Sequence, residues 1–194
     1  ILANVEFPEA RGAGVYIHWE PMNDVMFVNK RDSNLTMYEN QSQLNGNLQL
    51  RPTGMTGDGI MTFASSELES DLFRYKSNVF DADTSNFRLA SDNTAALAFS
   101  TNNVNSHIDF VKRVGEFKSN GGGSYVSFPL NQYICYIDQF KWFMDQAEIE
   151  LSSNENAANN TNADTLASSL NLTGSEFISV EPRQDSLQFR APFA

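Results

Sequence analysis

The chain has 194 residues, a formal net charge of −11 and 15 phenylalanines, with 41% of its residues apolar. That length suits one hydrophobic core, which large rings can fill where Leu and Ile are scarce, so a second globular domain is not expected. The acidic balance repels phosphate backbones and anionic headgroups, which excludes nucleic acid as a natural partner.

The carboxylates are scattered through polar stretches, so they read as a solvated acidic surface before they read as a site for divalent cations or cationic partners. No run approaches the roughly 18 consecutive apolar residues of a membrane-spanning helix. Abundant Asn, Ser and Thr with little Lys lean toward an exported protein. The chain opens Ile1-Leu2-Ala3-Asn4 without an initiating Met or a basic flank, and it breaks off at Phe193-Ala194 after a strand-like alternation. We therefore expect a segment of a longer polypeptide.

Short stretches of period-two alternation follow one another from start to end, separated by Gly, Asn, Asp or Pro. The first are 14–19, 24–28 and 43–50, where Leu44, Leu48 and Leu50 share one face with Gly46, a residue that marks a bulge or a close backbone approach. Met61 and Phe63 then alternate behind the turn Thr56-Gly57-Asp58-Gly59. Brief strands are expected at 68–70, 72–75, 79–80, 87–89, 97–99 and 107–110, with Asp81-Ala82-Asp83-Thr84-Ser85-Asn86 as a polar break between two of them. Such breaks are too short for the crossover helix of a parallel α/β sheet.

The stretch from Tyr133 to Met144 carries a stripe that fits a helix as well as strands, and its β-branched and aromatic content decides for strand. Residues 152–172 hold almost no large apolar side chain and predict a mobile polar loop, after which 176–180 and 186–190 resume the alternation. The chain thus reads as a single β-rich module over 1–194, all-β, with many short strands in a β-solenoid-like or groove-forming stack. The alternative is an antiparallel β-sandwich.

The run Gly57-Asp58-Gly59-Ile60-Met61-Thr62-Phe63, continuing through Leu68-Glu69-Ser70-Asp71-Leu72-Phe73 to Phe80-Asp81-Ala82-Asp83-Thr84, resembles large uncharacterised exported β-repeat proteins of Bacteroidota. Similar texture recurs at His18-Trp19 with Asp24, at 103–110, at 121–129 and at 174–180 with 184–187, so the likeness covers most of the chain. The resemblance implies a very long parent polypeptide, an envelope or cell-surface location and no assigned chemistry. Its β-repeat character is also similar to the groove-forming folds of lipid-transport bridges, an analogy of fold only.

Catalytic constellations are sparse. His18 and His107 stand in alternating strands without metal-ligand spacing, so hydrogen-bonded structural histidines are the expectation. Cys135 sits in an apolar run and reads as core. Gly122-Gly123-Ser124 lacks the strand-to-helix elbow of a serine nucleophile, and Gly121-Gly122-Gly123 lacks the lysine and helix start of a phosphate cradle.

Carboxylate pairs at Glu67 and Glu69, Asp81 and Asp83, and Asp138 and Asp145 offer acid–base chemistry only if a cleft sets their separation; exposed polar edges are the simpler reading. The Asp81 to Asn86 run lacks the glycine and distal Glu of a calcium loop. No catalytic residue, metal site or cofactor is therefore expected.

Trp19, Tyr136 and Trp142, with Tyr125, Tyr133 and Phe143 nearby in sequence, are candidates for a sugar-stacking platform, and core packing is the reading that competes with it. Thr165 and Ser186 stand in short Asp-Thr-Leu and Asp-Ser-Leu triplets that look like an O-glycosylation acceptor pattern. The sequence thus points to a non-enzymatic structural segment whose partner is the rest of its own polypeptide, with a lipid-handling groove or a carbohydrate-binding module as alternatives.

Overall fold

The computed structural model describes residues 4–91, 96–121, 125–146, 148–152 and 175–191. Within them lie 16 strands of one hydrogen-bonded sheet. In chain order these are β1 (Ala10–Arg11), β2 (Tyr16–Glu20), β3 (Val25–Asn29), β4 (Leu35–Met37), β5 (Ser42–Arg51), β6 (Gly54–Phe63), β7 (Ser66–Tyr75) and β8 (Val79–Ala90). They continue as β9 (Leu97–Asp109), β10 (Val114–Ser119), β11 (Val126–Phe128), β12 (Tyr133–Tyr136), β13 (Gln139–Phe143), β14 (Glu148–Ser152), β15 (Ser175–Ser179) and β16 (Gln188–Ala191).

The all-β class expected from the sequence is what the chain adopts. Every pairing among the described residues is antiparallel, and β4 to β9 neighbour one another in sequence order, without the parallel coil-to-coil returns of a solenoid. No helix of the described residues is long and apolar enough to cross a membrane.

The five long strands β5 to β9 run through two layers. At one margin β5 forks: its second half pairs with β3, and so with β2, while its first half pairs with β4, and so with β1. At the other margin β9 forks in the same way. Its end leads to β10, β13 and β14, and its beginning leads to β11, β12, β15 and β16. One layer therefore contains β2, β3, the inner halves of β5 to β9, β10, β13 and β14; the other contains β1, β4, the opposite halves, β11, β12, β15 and β16.

Ring contacts show that these layers fold face to face. Phe63 pairs with Ser66, which pairs with Leu89, nine residues along β8 from Phe80. A flat sheet rising about 3.3 Å per residue would hold Phe63 and Phe80 about 30 Å apart. Their ring centroids lie 5.7 Å apart, edge to face.

The fold line follows small and polar residues. Register shifts fall between Gly57 and Gly59 on β6 and between Ala82 and Ser85 on β8, and Asn103 on β9 takes a left-handed φ of 56°. Bulges of this kind bend a strand and raise its twist. The inward side chains change phase there, from Ser70 to Phe73 on β7, from Ala82 to Ser85 on β8 and from Thr101 to Val104 on β9. Buried serine hydroxyls occupy the gaps: Ser70 Oγ donates to the Thr84 carbonyl at 2.7 Å and Ser85 Oγ to the Val104 carbonyl at 3.0 Å.

The polar break read at Asp81 to Asn86 is thus a bend inside one strand of 12 residues, not a turn between two. The ambiguous stretch 133–144 is two strands, as expected, but β12 belongs to one layer and β13 to the other. Changing layers at 137–138 inverts the alternation, which is why the stripe imitated a helix. The loop expected over 152–172 lies outside the described residues from 153 onward.

Between the layers the core is aromatic. Trp142 on β13 reaches Phe63 at 5.8 Å and Phe87 at 5.3 Å, both from the opposite layer. Phe117 stacks on Phe140 at 4.4 Å and meets Phe87 at 4.5 Å. Each fully buried ring contributes roughly 2–3 kcal/mol over an exposed one, and each ring pair adds about 1 kcal/mol more.

Candidate functional site

Where β5 forks, the two layers diverge and leave an open apolar cleft of about 380 Å³. One wall is a continuous patch of inward side chains: Ile17 on β2, Met26 and Val28 on β3, Leu48 and Leu50 on β5, and Met55 on β6. Strand register builds this wall, since Ile17 opposes Val28 and Val28 opposes Leu48, while Met26 opposes Leu50 and Leu50 opposes Met55.

The other wall comes from the opposite layer and the segment leading into it: Phe7, Pro8, Ala10, Gly12, Val15 and Leu35. Gly12 keeps this wall close-packed, since a Cβ there would come within 2.5 Å of the Leu35 side chain. Arg11, the one charged residue of the lining, is paired with Glu9. A cavity with two apolar walls and one neutralised charge at its rim can hold an apolar chain or side chain. It offers no nucleophile, acid or base.

A second concavity lies on the outer, solvent face of the layer that carries β10 and β13. Strand register places Arg74, Asp81, His107, Glu116, Lys141 and Glu150 in one row across six strands. Its closest pairs are Asp81 Oδ1 with His107 Nδ1 at 2.6 Å and the oppositely charged Lys141 Nζ with Glu116 at 3.0 Å. The carboxylate of Glu116 beside Lys141 raises the ammonium pKa above its ordinary value. Asn105, Lys118 and Gln139 border a groove of about 430 Å³ along this row. Among the described residues no group of three His, Cys, Asp or Glu side chains is placed to hold a metal ion.

The aromatic residues proposed as a sugar platform fall into three separate places. Trp142 is 1% exposed and belongs to the core, because alternation on β13 turns it inward together with Phe140. It is no part of a surface platform. Trp19 is 67% exposed on the edge strand β2, and Tyr136 is 44% exposed on β12, which lies on the far side of β5 to β9. Tyr136 meets Tyr125 at 65° between planes, so that pair presents no flat face.

Most of these carboxylates meet cations on neighbouring strands or turns. Glu67 and Glu69 both approach Arg88, Asp83 pairs with Arg74, and Asp145 accepts three bonds from Arg113, one at 2.8 Å and two at 3.1 Å. Cys135 is fully buried, and burial pushes its thiol up to about 12. Ser186 is exposed in the turn before β16, with a φ of 58°, and so stands outside the strand. Thr165 and the glycines beyond Gly121 lie outside the described residues.

No family model, no curated protein and no solved structure matches this chain. An apolar groove is among the sequence expectations, but its place in the chain is not. Each of its strands was legible as an alternating segment, but the branching of β5 into two layers joins residues as distant as Phe7 and Met55, and no local pattern announces it.

Proposed function

We propose that this chain is a non-enzymatic structural segment of a larger envelope or cell-surface protein. The observation that carries this reading is the self-filled centre of the interior: Trp142 between Phe63 and Phe87, with the Phe117 and Phe140 rings stacked beside it, packs the space between the layers there with the chain's own side chains. Ion pairing of the outer carboxylates supports it, because the pairs with Arg74, Arg88, Arg113 and Lys141 tie neighbouring strands and turns together across the outer face. The β-repeat texture read in the sequence supports the envelope location.

Titration calorimetry against a panel of fatty acids, phospholipids and oligosaccharides tests this reading. No saturable heat is expected. One equivalent of tightly held acyl chain would replace it with the second reading, an apolar β-groove that handles lipid, which the cleft beside β2 favours. Envelope location is tested by fractionating cells that carry an epitope-tagged parent protein. Recovery in the cytosol would overturn it.

A further inference from the structure

Strand β2 pairs with β3 along one edge and with no strand along the other among the described residues. Exposed sheet edges are ordinarily blunted by Lys, Pro, bulges or inward-pointing charges. Here Tyr16, Ile17, His18 and Trp19 run consecutively without a Lys, Arg, Asp or Glu, each more than half exposed, and Met22 beyond them is 95% exposed. Such an edge is a template for another strand, because its alternating N–H and C=O groups are satisfied by backbone and not by an acyl chain or a sugar ring.

We propose that β2 is the pairing edge through which two copies of this chain join, antiparallel and centred on His18. The sequence of the strand is self-complementary in that register. Ile17 falls opposite the partner's Trp19 at two symmetric places, both on the inner face that continues the cleft wall. Tyr16 falls opposite the partner's Glu20, so a phenol that can donate meets the strand's only carboxylate, and no carboxylate opposes another. A two-fold axis perpendicular to the sheet keeps both inner faces on one side and closes the edge, which yields a dimer and not a fibre.

Taking roughly 200 Å² for each large side chain, Tyr16, Ile17, His18, Trp19 and Met22 expose about 600 Å² per copy, so pairing through them can cover at most about 1,200 Å², the size at which stable interfaces begin. Each copy carries a net charge of −11, so the copies repel at long range and added salt should favour the pair. This assembly goes beyond the structural reading above and does not depend on it.

Sedimentation equilibrium of the chain should show a monomer–dimer equilibrium that tightens at least several-fold as salt rises from about 0.05 M to about 0.5 M. Ile17→Lys should abolish the dimer, while Val111→Lys, a change at an exposed turn position, should leave it intact. Register is read by cross-linking. Directly opposed Cα atoms lie about 4.5–5.5 Å apart, within disulfide reach, so His18→Cys should oxidise to a covalent dimer and Tyr16→Cys should not. The native Cys135 is buried and does not compete.

A mass that stays at 21.7 kDa at every concentration would overturn the proposal, as would a dimer that survives Ile17→Lys or forms its disulfide equally from Tyr16→Cys. So would a monomer whose cleft takes up cis-parinaric acid in place of a second copy.

Discussion

Gly46 on β5 and Gly59 on β6 stand directly opposite each other at the line where the sheet folds over, and neither position has room for a methyl group. A Cβ at Gly46 would lie 1.8 Å from the Asp58 carbonyl oxygen, and one at Gly59 would lie 2.3 Å from the Asn45 carbonyl oxygen. Gly59 also holds a φ of 118°, a conformation that L side chains rarely adopt. The obstacles are backbone atoms, which cannot rotate away. Gly46→Ala should therefore cost about 2–4 kcal/mol, in the range of severe single substitutions, as read by urea unfolding. Gly54→Ala has nothing within 4 Å and only a φ of 147° to strain, so it should cost less, about 1 kcal/mol. Equal losses at the two sites would contradict the close crossing.

The two tryptophans report opposite environments. Trp142, enclosed by Phe63 and Phe87, should emit at short wavelength and resist acrylamide, whereas Trp19 on the edge strand should, in the dilute monomer, emit at long wavelength and be quenched freely. Trp19→Phe should remove the quenchable component with little loss of stability. Trp142→Ala should cost about 3–5 kcal/mol, since no neighbouring chain can collapse into so large a gap.

Serine hydroxyls stand in for ladder bonds where the strands bend. Ser70 Oγ donates to the Thr84 carbonyl at 2.7 Å and accepts from the Leu72 N–H at 3.2 Å, across a stretch where β7 and β8 are not in register contact. Ser70→Ala leaves two backbone groups unsatisfied and should cost about 1–3 kcal/mol in thermal unfolding. An exposed serine such as Ser33 should cost less, about 0.5 kcal/mol when truncated.

Alkali should weaken the fold. Burial pushes the Cys135 thiol from an ordinary value near 9 up to about 12, and burial likewise raises the phenols of Tyr38 and Tyr75. Above pH 9 the unfolded chain releases protons that the folded chain retains, so stability is full below that point and is lost as pH rises toward the folded values. Denaturant midpoints should fall steadily between about pH 9 and 11, and Cys135→Ala should flatten part of that slope. Iodoacetamide should reach Cys135 only in denaturant.

Asp109 produces the opposite trend in acid. Burial pushes its carboxyl up, but hydrogen bonds from the Lys112 and Val111 N–H groups and the Lys112 ammonium outweigh it and hold the pKa below the ordinary 3.8. Its contribution is present above that ordinary value and disappears as pH falls through the folded one. Asp109→Asn should lower stability at pH 7 and shrink the loss seen between about pH 5 and 2.

Composition and alternation by themselves determined the class of this protein. Period-two runs of Phe, Leu and Met can bury one face only as strands, and breaks such as Asp81 to Asn86 leave no length for crossover helices. The inward direction of Leu44, Leu48, Phe63 and Cys135 and the close approach at Gly46 follow from the same local rules. Tertiary structure alone decided which short segments were one bent strand, because small residues at a bulge resemble those at a turn. It also decided the fate of Trp142, since alternation says that a ring lies on one face but not whether another layer covers that face. The fork of β5 that opens the cleft and leaves β2 uncovered is a relation between distant pairings, and a local pattern carries no record of it.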